Sequence, residues 1–549
     1  MKIYYLFILN ILRFICYIFN LIKKNFIKLC LVTSIIITFF FIIYIKNYNL
    51  HDNEKKALLL NINGIIFENN NNIFWGKFGL SLFKIKNKKF LTNTLFNIVK
   101  IIHLANNNKN IIGMVLKLNN FLGADQVSLE YIGKALNQFK KNGKYIYAIS
   151  NNYKLAQYYL ASYANKIFIY PNGLIDLYGS NNDKIYYKSL LNKLKINTHI
   201  FRIGLNKTAI EPNIYDSMPN KTKKIENKLY SKLWLNYIYD IVKNRNLKPY
   251  ELTLKKKDFL INFLNKKYIN KYNLKYKIID KILSYKKTKE EFIKIFGLNK
   301  KKNNYKFIHF YKYKIKQILK KNDNIISVIF INGKILNYNN SYQNINNSLI
   351  INKLKKARLN SKVKAVILRI NSPGGSISAS ENIRNEILNL KLSGKPVIVS
   401  MSNLTASGGY WISTPANIII ADKNTITGSI GVFSVINTYE KILNFIGINY
   451  DGLNLFPNLN LKPNKSLTPF LSKIIELNIK NGYEHFIKLI CKNRHLTPIE
   501  VNRIGQGQLF LGEEAKKLKL IDKIGDFDDA VKQAVKITKL KQWHLNWVI

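Results

Sequence analysis

Cysteine is nearly missing from this chain: three occur in 549 residues, Cys16, Cys30 and Cys491. Three thiols make no disulfide framework, and two of them fall in or beside an apolar segment. No CxxC and no paired His/Cys spacing is present, so no zinc site is suggested. His103, His199, His485 and His495 sit in ordinary periodic contexts and read as packed or solvated side chains. There is no glycine-rich phosphate loop, so neither a metal nor a nucleotide nor any other cofactor is expected. Acid is scarce too, with 31 Asp and Glu against 87 Lys and Arg, a formal net charge of +56. Arginine is scarcer still, eight in all, so the excess is nearly all lysine. Asn, Ile and Tyr are inflated alongside it, the pattern of drift toward AT-rich codons. Bidentate phosphate and guanine contacts call for arginine, so the charge does not make nucleic acid a partner.

Charge of either sign is absent from Leu29 to Ile45, a run of 17 residues. As a helix it would rise roughly 26 Å, near the lower limit for crossing a bilayer. Lys23, Lys24 and Lys28 precede it, and no acid occurs before Asp52. The positive-inside rule then puts a leader, residues 1–28, in or against the cytoplasm, the anchor at 29–45, and residues 50–549 on the far side. No A-x-A-like site precedes Lys46, which favours an uncleaved anchor over a removed signal peptide. Residues 3–22 are apolar but broken by Asn10, Arg13 and Asn20. They fit either an amphipathic helix along the membrane surface or a second span, and Arg13, which would sit near the middle of a span, favours the surface.

The rest of the chain contains an internal repeat. Asn119, Ala164-Asn165 and Ile196-Asn197 recur 252 residues later as Asn371, Ala416-Asn417 and Ile448-Asn449. Buried strands are expected at 57–62 and 325–331, at 113–118 and 365–370, and at 145–150 and 396–401. Amphipathic helices are expected at 127–140 and 376–390. Strand–helix alternation of this kind argues for an α/β fold with mostly parallel sheets. Residues 216–300 read as mainly helical, and 301–324 as a solvated basic linker. The expected organisation is a first repeat over 57–300 with a helical extension, the linker 301–324, and a second repeat over 325–549.

The halves differ where chemistry would sit. Ser407, in Ala406-Ser407-Gly408-Gly409, faces Leu155 at the repeat offset; Lys207, in Asn206-Lys207-Thr208-Ala209, faces Leu459. The second half has a serine in a glycine turn, the first half a lysine, and neither has both. Asn371-Ser372-Pro373-Gly374-Gly375 follows a strand, and its glycines let backbone N–H groups turn toward a carbonyl. The first half has Asn119-Asn120-Phe121-Leu122-Gly123 there, so the glycines are not a demand of the fold alone. A serine opening a helix can present its hydroxyl beside free amides that favour an oxyanion. It needs a base, no histidine lies near either loop in sequence, and a lysine can serve if burial leaves its amine neutral.

Three segments resemble the signal peptide peptidase A family in its long, two-repeat bacterial form. They are Leu368–Ser376, Ala406–Asn417 and Thr427–Phe433; the closing Gln542-Trp543-His544-Leu545 also fits. The resemblance covers nearly the whole chain. It implies two tandem crotonase-like repeats, related to the caseinolytic protease, behind an N-terminal transmembrane helix. It implies Ser407 as nucleophile, Lys207 as general base, Ser429 as the hydroxyl that positions the lysine, and backbone N–H groups of Gly374, Gly375 and Gly408 as the oxyanion hole. It further implies a homotetramer on the periplasmic side of the bacterial cytoplasmic membrane, cutting signal peptide remnants and other short apolar peptides. Two rivals remain: a decayed, non-catalytic relative that binds peptides or scaffolds a membrane complex, and a crotonase-type enzyme acting on an acyl-CoA thioester.

Overall fold

The computed structural model describes residues 13–14, 17, 33–39, 54–68, 93–177, 179, 182–252, 266–313, 324–337, 344–451, 453 and 461–548. Most of the expected leader and anchor, linker residues 314–323 and Leu459 lie outside the described residues. Among the described residues no helix is long and apolar enough to cross a membrane.

The uncharged, β-branched runs become two parallel sheets. The first has the order Phe307–His309, Lys56–Asn61, Ile111–Lys117, Tyr145–Ser150, Lys166–Ile169 and Lys281–Ile282. The second runs His544–Val548, Ile325–Asn332, Val363–Ser372, Val397–Ala406, Ile426–Gly428 and Leu509–Leu511, with only the last pair antiparallel. Ile418–Ala421 also pairs with Val397–Ala406. The connecting helices include Gln126–Lys141 in the first half and Ile377–Leu392 in the second, capped by the side chains of Asp125 and Ser376.

Both sheets are buried on two faces, which is why their strands read as continuous apolar runs. Leu58 and Leu60 point into a core that also takes Ile326, Val328 and Phe330 from the second half. Ala57 and Leu59 face a smaller cluster with Phe292 and Phe296, and Ile329 and Ile331 face the core of the second half. The two repeats therefore share one apolar layer. Trp547, in the last strand, lies against Phe96 of the first half and Phe330 and Phe527 of the second.

The repeat is visible bond by bond. Asn165 bonds both ways with the backbone of Ile146, and Asn417 does the same with Val397. Tyr158 donates its hydroxyl to the carbonyl of Ile278, and Tyr410, at the 252-residue offset, donates to that of Leu520. Two helices of 26 residues, Asn220–Arg245 and Pro469–Arg494, end in arginines paired with Asp280 and Asp522. A third arginine locks the halves together. Buried Arg369 bonds Glu68 through Nε and Nη2, and its Nη1 donates to Ser400 Oγ and the Met401 carbonyl.

The expected linker is corrected in its first part. Among residues 301–313, Phe307–His309 adds a parallel edge strand to Lys56–Asn61, and Tyr305 and Phe310 are buried. Lys301, Lys302 and Lys312 stay exposed there while Tyr305 and Phe310 pack inward.

Candidate active site

Ser407 stands between the Val397–Ala406 strand and the Gly408–Ser413 helix. Its backbone takes φ 54° and ψ −118°, a region costly for a residue with a side chain. The turn is held because the Ser407 N–H donates to the Gly428 carbonyl at 2.9 Å and its carbonyl accepts from Trp411 N–H at 2.8 Å. Glycines surround it because nothing larger fits. A Cβ on Gly374 would lie 2.6 Å from Gly408 N and 2.8 Å from Ser407 Cβ, and one on Gly375 would lie 1.9 Å from the Ile335 carbonyl oxygen. One on Gly408 would lie 2.6 Å from Ser380 Oγ.

Lys207 reaches this turn within the same chain. The strand Asn197–Ile203 of the first half pairs antiparallel with Val432–Thr438 of the second, Ile203 opposite Val432. The chain then turns at Gly204, where Asn206 N–H donates to the Gln506 carbonyl at 2.7 Å. Gly507 lies against Lys207, since a Cβ there would come 2.6 Å from Lys207 N. The same turn holds Ser429, whose N–H donates to the Gln508 carbonyl at 2.7 Å.

The lysine amine ends 2.9 Å from Ser407 Oγ, 2.8 Å from the Ser429 carbonyl oxygen and 2.9 Å from Ser429 Oγ. A neutral amine has two N–H groups and one lone pair. With the N–H groups on the two Ser429 oxygens, the lone pair faces the Ser407 hydroxyl. Lys207 is only 3% exposed, and burial pushes its pKa down from the ordinary lysine range to about 7. Among the described residues no carboxylate lines the surrounding cleft, and burial alone accounts for the shift.

All six residues expected at the site come together, with one adjustment. The Gly374 N–H is turned to Ser372 Oγ at 3.2 Å, and its carbonyl accepts from Ile335 N–H. That glycine allows the close backbone approach but is not free to face a carbonyl oxygen, so the expectation of three oxyanion donors is reduced to Gly375 and Gly408. Gly408 begins its helix, where first-turn amides have no acceptor within the helix.

The matching turn of the first half is closed. Gln157, at the offset of Gly409, sends its amide to the carbonyls of Leu118 and Phe121 at 2.9 and 2.8 Å. The difference between the halves at this turn therefore has a steric basis. Sequence reasoning missed the Gly505-Gln506-Gly507 turn that braces Lys207 and Ser429; two glycines spaced around a single residue were the available signal. It also missed the cleft walls. A cleft of about 660 Å³ beside Ser407 is lined by Ile377, Ser380, Trp411, Val432 and Phe486, among others.

Known proteins resemble the chain throughout. The model of peptidase family S49 matches twice, over residues 138–290 and 389–541. Protease 4 of Salmonella typhi is 42% identical over 502 residues, covering 91% of this chain and 81% of that one. Protease 4 of Haemophilus influenzae is 36% identical over 495 residues, covering 89% and 80%. The chloroplastic serine protease SPPA of Arabidopsis thaliana is 27% identical over 414 residues, covering 73% and 60%. Two family matches, one in each half, and relatives aligned along nine-tenths of its length place this chain in peptidase family S49, as a serine protease of the long, two-repeat form.

Proposed function

We propose that Ser407 and Lys207 form a Ser/Lys dyad that hydrolyses peptide bonds in short, apolar, extended chains such as cleaved signal peptides. The observation that carries the proposal is the 2.9 Å approach of a buried lysine amine, with a pKa of about 7, to a serine hydroxyl on a strained turn. Lys207 takes the hydroxyl proton as Oγ attacks the scissile carbonyl. The N–H groups of Gly375 and Gly408 hold the oxyanion. Lys207, now an ammonium, gives its proton to the leaving amine, and a water then releases the acyl group by the same path in reverse. Ser429 keeps the amine aimed throughout.

The cleft supports an extended substrate. Val432–Thr438 pairs on one edge with Asn197–Ile203, and Val432, Phe433, Ser434 and Val435 line the cleft beside Ser407. A peptide laid along the other edge would gain main-chain hydrogen bonds with little regard to sequence. A serine-reactive acylating probe is expected to label the purified protein at one residue, Ser407, and mass spectrometry of the labelled peptide reads the site. Labelling elsewhere, or none, argues for a decayed peptide-binding protein instead.

The uncharged run at 29–45 and the lysines before it support a single-pass anchor in the bacterial inner membrane, with the proteolytic part on the periplasmic side. A homotetramer is part of the same proposal. A reporter that is active only outside the cytoplasm, fused after Ile45, is expected to be active; a fusion active only in the cytoplasm reverses the topology.

A further inference from the structure

Ser372 ends the strand Val363–Ser372, opposite Thr405 of the neighbouring strand, and is fully buried. Its hydroxyl serves the loop that follows. Ser372 Oγ accepts the N–H of Gly374, two residues on, at 3.2 Å. Pro373 between them has a fixed φ and keeps the residue before it extended, so the serine is preset for this turn. At the 252-residue offset the first half has Asn120 instead, whose amide donates to Asn63 Oδ1 at 2.9 Å.

Gly374 is held at its other end too. Its carbonyl accepts from Ile335 N–H at 2.9 Å, and the Ile335 carbonyl accepts from Ser376 N–H at 2.8 Å. The two bonds pass over Gly375. A peptide unit is planar and trans, so its C=O and N–H point in opposite directions. The unit that joins Gly374 to Gly375 has its C=O turned to Ile335, which aims the Gly375 N–H away from that residue. Gly408 lies close by, where a Cβ would come 3.1 Å from Gly375 N. The two glycines assigned to the oxyanion therefore stand side by side.

The loop alone does not enforce this orientation. Gly374 and Gly375 take φ of 103° and 157°, and glycine on both sides lets a peptide unit turn over at little steric cost. Turned over, the unit would present the Gly374 carbonyl, a negative dipole end, where the Gly375 N–H should meet an oxyanion. Ile335 pins one end of Gly374 and Ser372 the other.

We propose that Ser372 is a positioning residue: by holding the Gly374 N–H it keeps the Gly374–Gly375 peptide unit turned so that the Gly375 N–H faces the oxygen of the scissile carbonyl. It acts through the loop and touches neither the substrate nor the reacting atoms. This inference rests on the dyad reading, with Gly375 as one of the two oxyanion donors.

Ser372→Ala removes one atom from a buried place and is expected to fold. Its kcat should fall roughly ten- to a hundredfold with KM within about twofold, somewhat less than outright loss of an oxyanion donor, because Ile335 still holds the unit. The midpoint of the pH profile should stay at the parent's value, because the Lys207 amine is bonded to Ser407 and Ser429 and not to Ser372. Two inhibitors isolate the effect. A peptide aldehyde takes Ser407 Oγ at its carbon, its oxygen becomes the oxyanion, and Lys207 keeps the serine proton. The corresponding peptide alcohol fills the same cleft without an oxyanion. Ser372→Ala should weaken the aldehyde roughly ten- to a hundredfold and the alcohol by less than about twofold. An equal loss for both inhibitors, a rise in KM alone, or unchanged aldehyde binding overturns the proposal. So does an alanine protein that does not fold, since the serine would then be held for the fold. Failure of the aldehyde to bind the parent more tightly than the alcohol counts instead against the dyad reading, which the labelling of Ser407 tests separately.

Discussion

Ser407→Ala is expected to abolish peptide hydrolysis, with kcat falling by roughly 10⁴-fold or more, as when the nucleophile of a serine protease is removed. The fold should not suffer. Alanine keeps the Cβ that packs against Gly374, and the two backbone bonds that hold the turn, to Gly428 and Trp411, do not involve the hydroxyl. The φ of 54° is no harder for alanine than for serine, so the strain of the turn is unchanged. Thermal melting within a degree or two of the parent, together with lost cleavage, is the predicted result. Substantial activity in a folded alanine protein would remove Ser407 as nucleophile, whatever the geometry around it.

Much of this site was legible because the two repeats serve as each other's control. Leu155 opposite Ser407, and Gln157 opposite Gly409, mark the turn that one half opened and the other closed. The amide of Gln157 fills that turn in the first half, a contact that the offset alone could only hint at. The strands were legible for a simpler reason: sheets buried on both faces need unbroken apolar runs, and those runs stand out in a lysine-rich chain. The route of Lys207 to Ser407 was not legible. It depends on pairing Asn197–Ile203 with Val432–Thr438, two half-exposed strands whose partners are more than 200 residues apart, and no local pattern encodes that register. The misreading of the linker's first part, residues 301–313, has the opposite cause. Its lysines dominate the composition, while Tyr305, Phe307 and Phe310 carry the packing.

The few arginines show the same division between composition and structure. Five of the eight are paired with carboxylates, at Asp280, Glu386, Glu68, Glu381 and Asp522. Where a planar, permanently charged donor is needed in a buried pair, lysine is a poor substitute. The surface charge of the chain is therefore a poor guide to its organisation, and the buried basic side chains are a better one: Arg369 joins the repeats, and the Lys207 amine stands 2.9 Å from Ser407 Oγ.

Lys207→Arg should be as inactive as Lys207→Ala, each losing roughly 10²–10⁴-fold or more in kcat, the usual worth of a general base. A guanidinium stays protonated and cannot accept the Ser407 proton. A lysine that only bridged neighbouring oxygens would tolerate arginine in part, so the pair of variants separates a base from a brace. The pH profile gives the sign independently. Burial disfavours the ammonium and puts the pKa near 7, so the amine is charged and inactive below that value and neutral above it. Activity is expected to rise through about pH 7 along a single ionisation and to level off above it, well short of the roughly 10.4 of a free lysine. Stability supplies a third readout. Between the folded value and that of the unfolded chain, only the unfolded state binds the proton, so folding becomes more favourable as pH rises through this window. At neutral pH the parent bears the cost of keeping an amine in a site that rejects its charge. Lys207→Met, which fills the same space without a charge to bury, should therefore be inactive yet melt no lower than the parent. A marked loss of stability in the methionine protein, or an activity that rises only near pH 10, would show that the lysine is held there for the fold and that the serine draws its base from elsewhere.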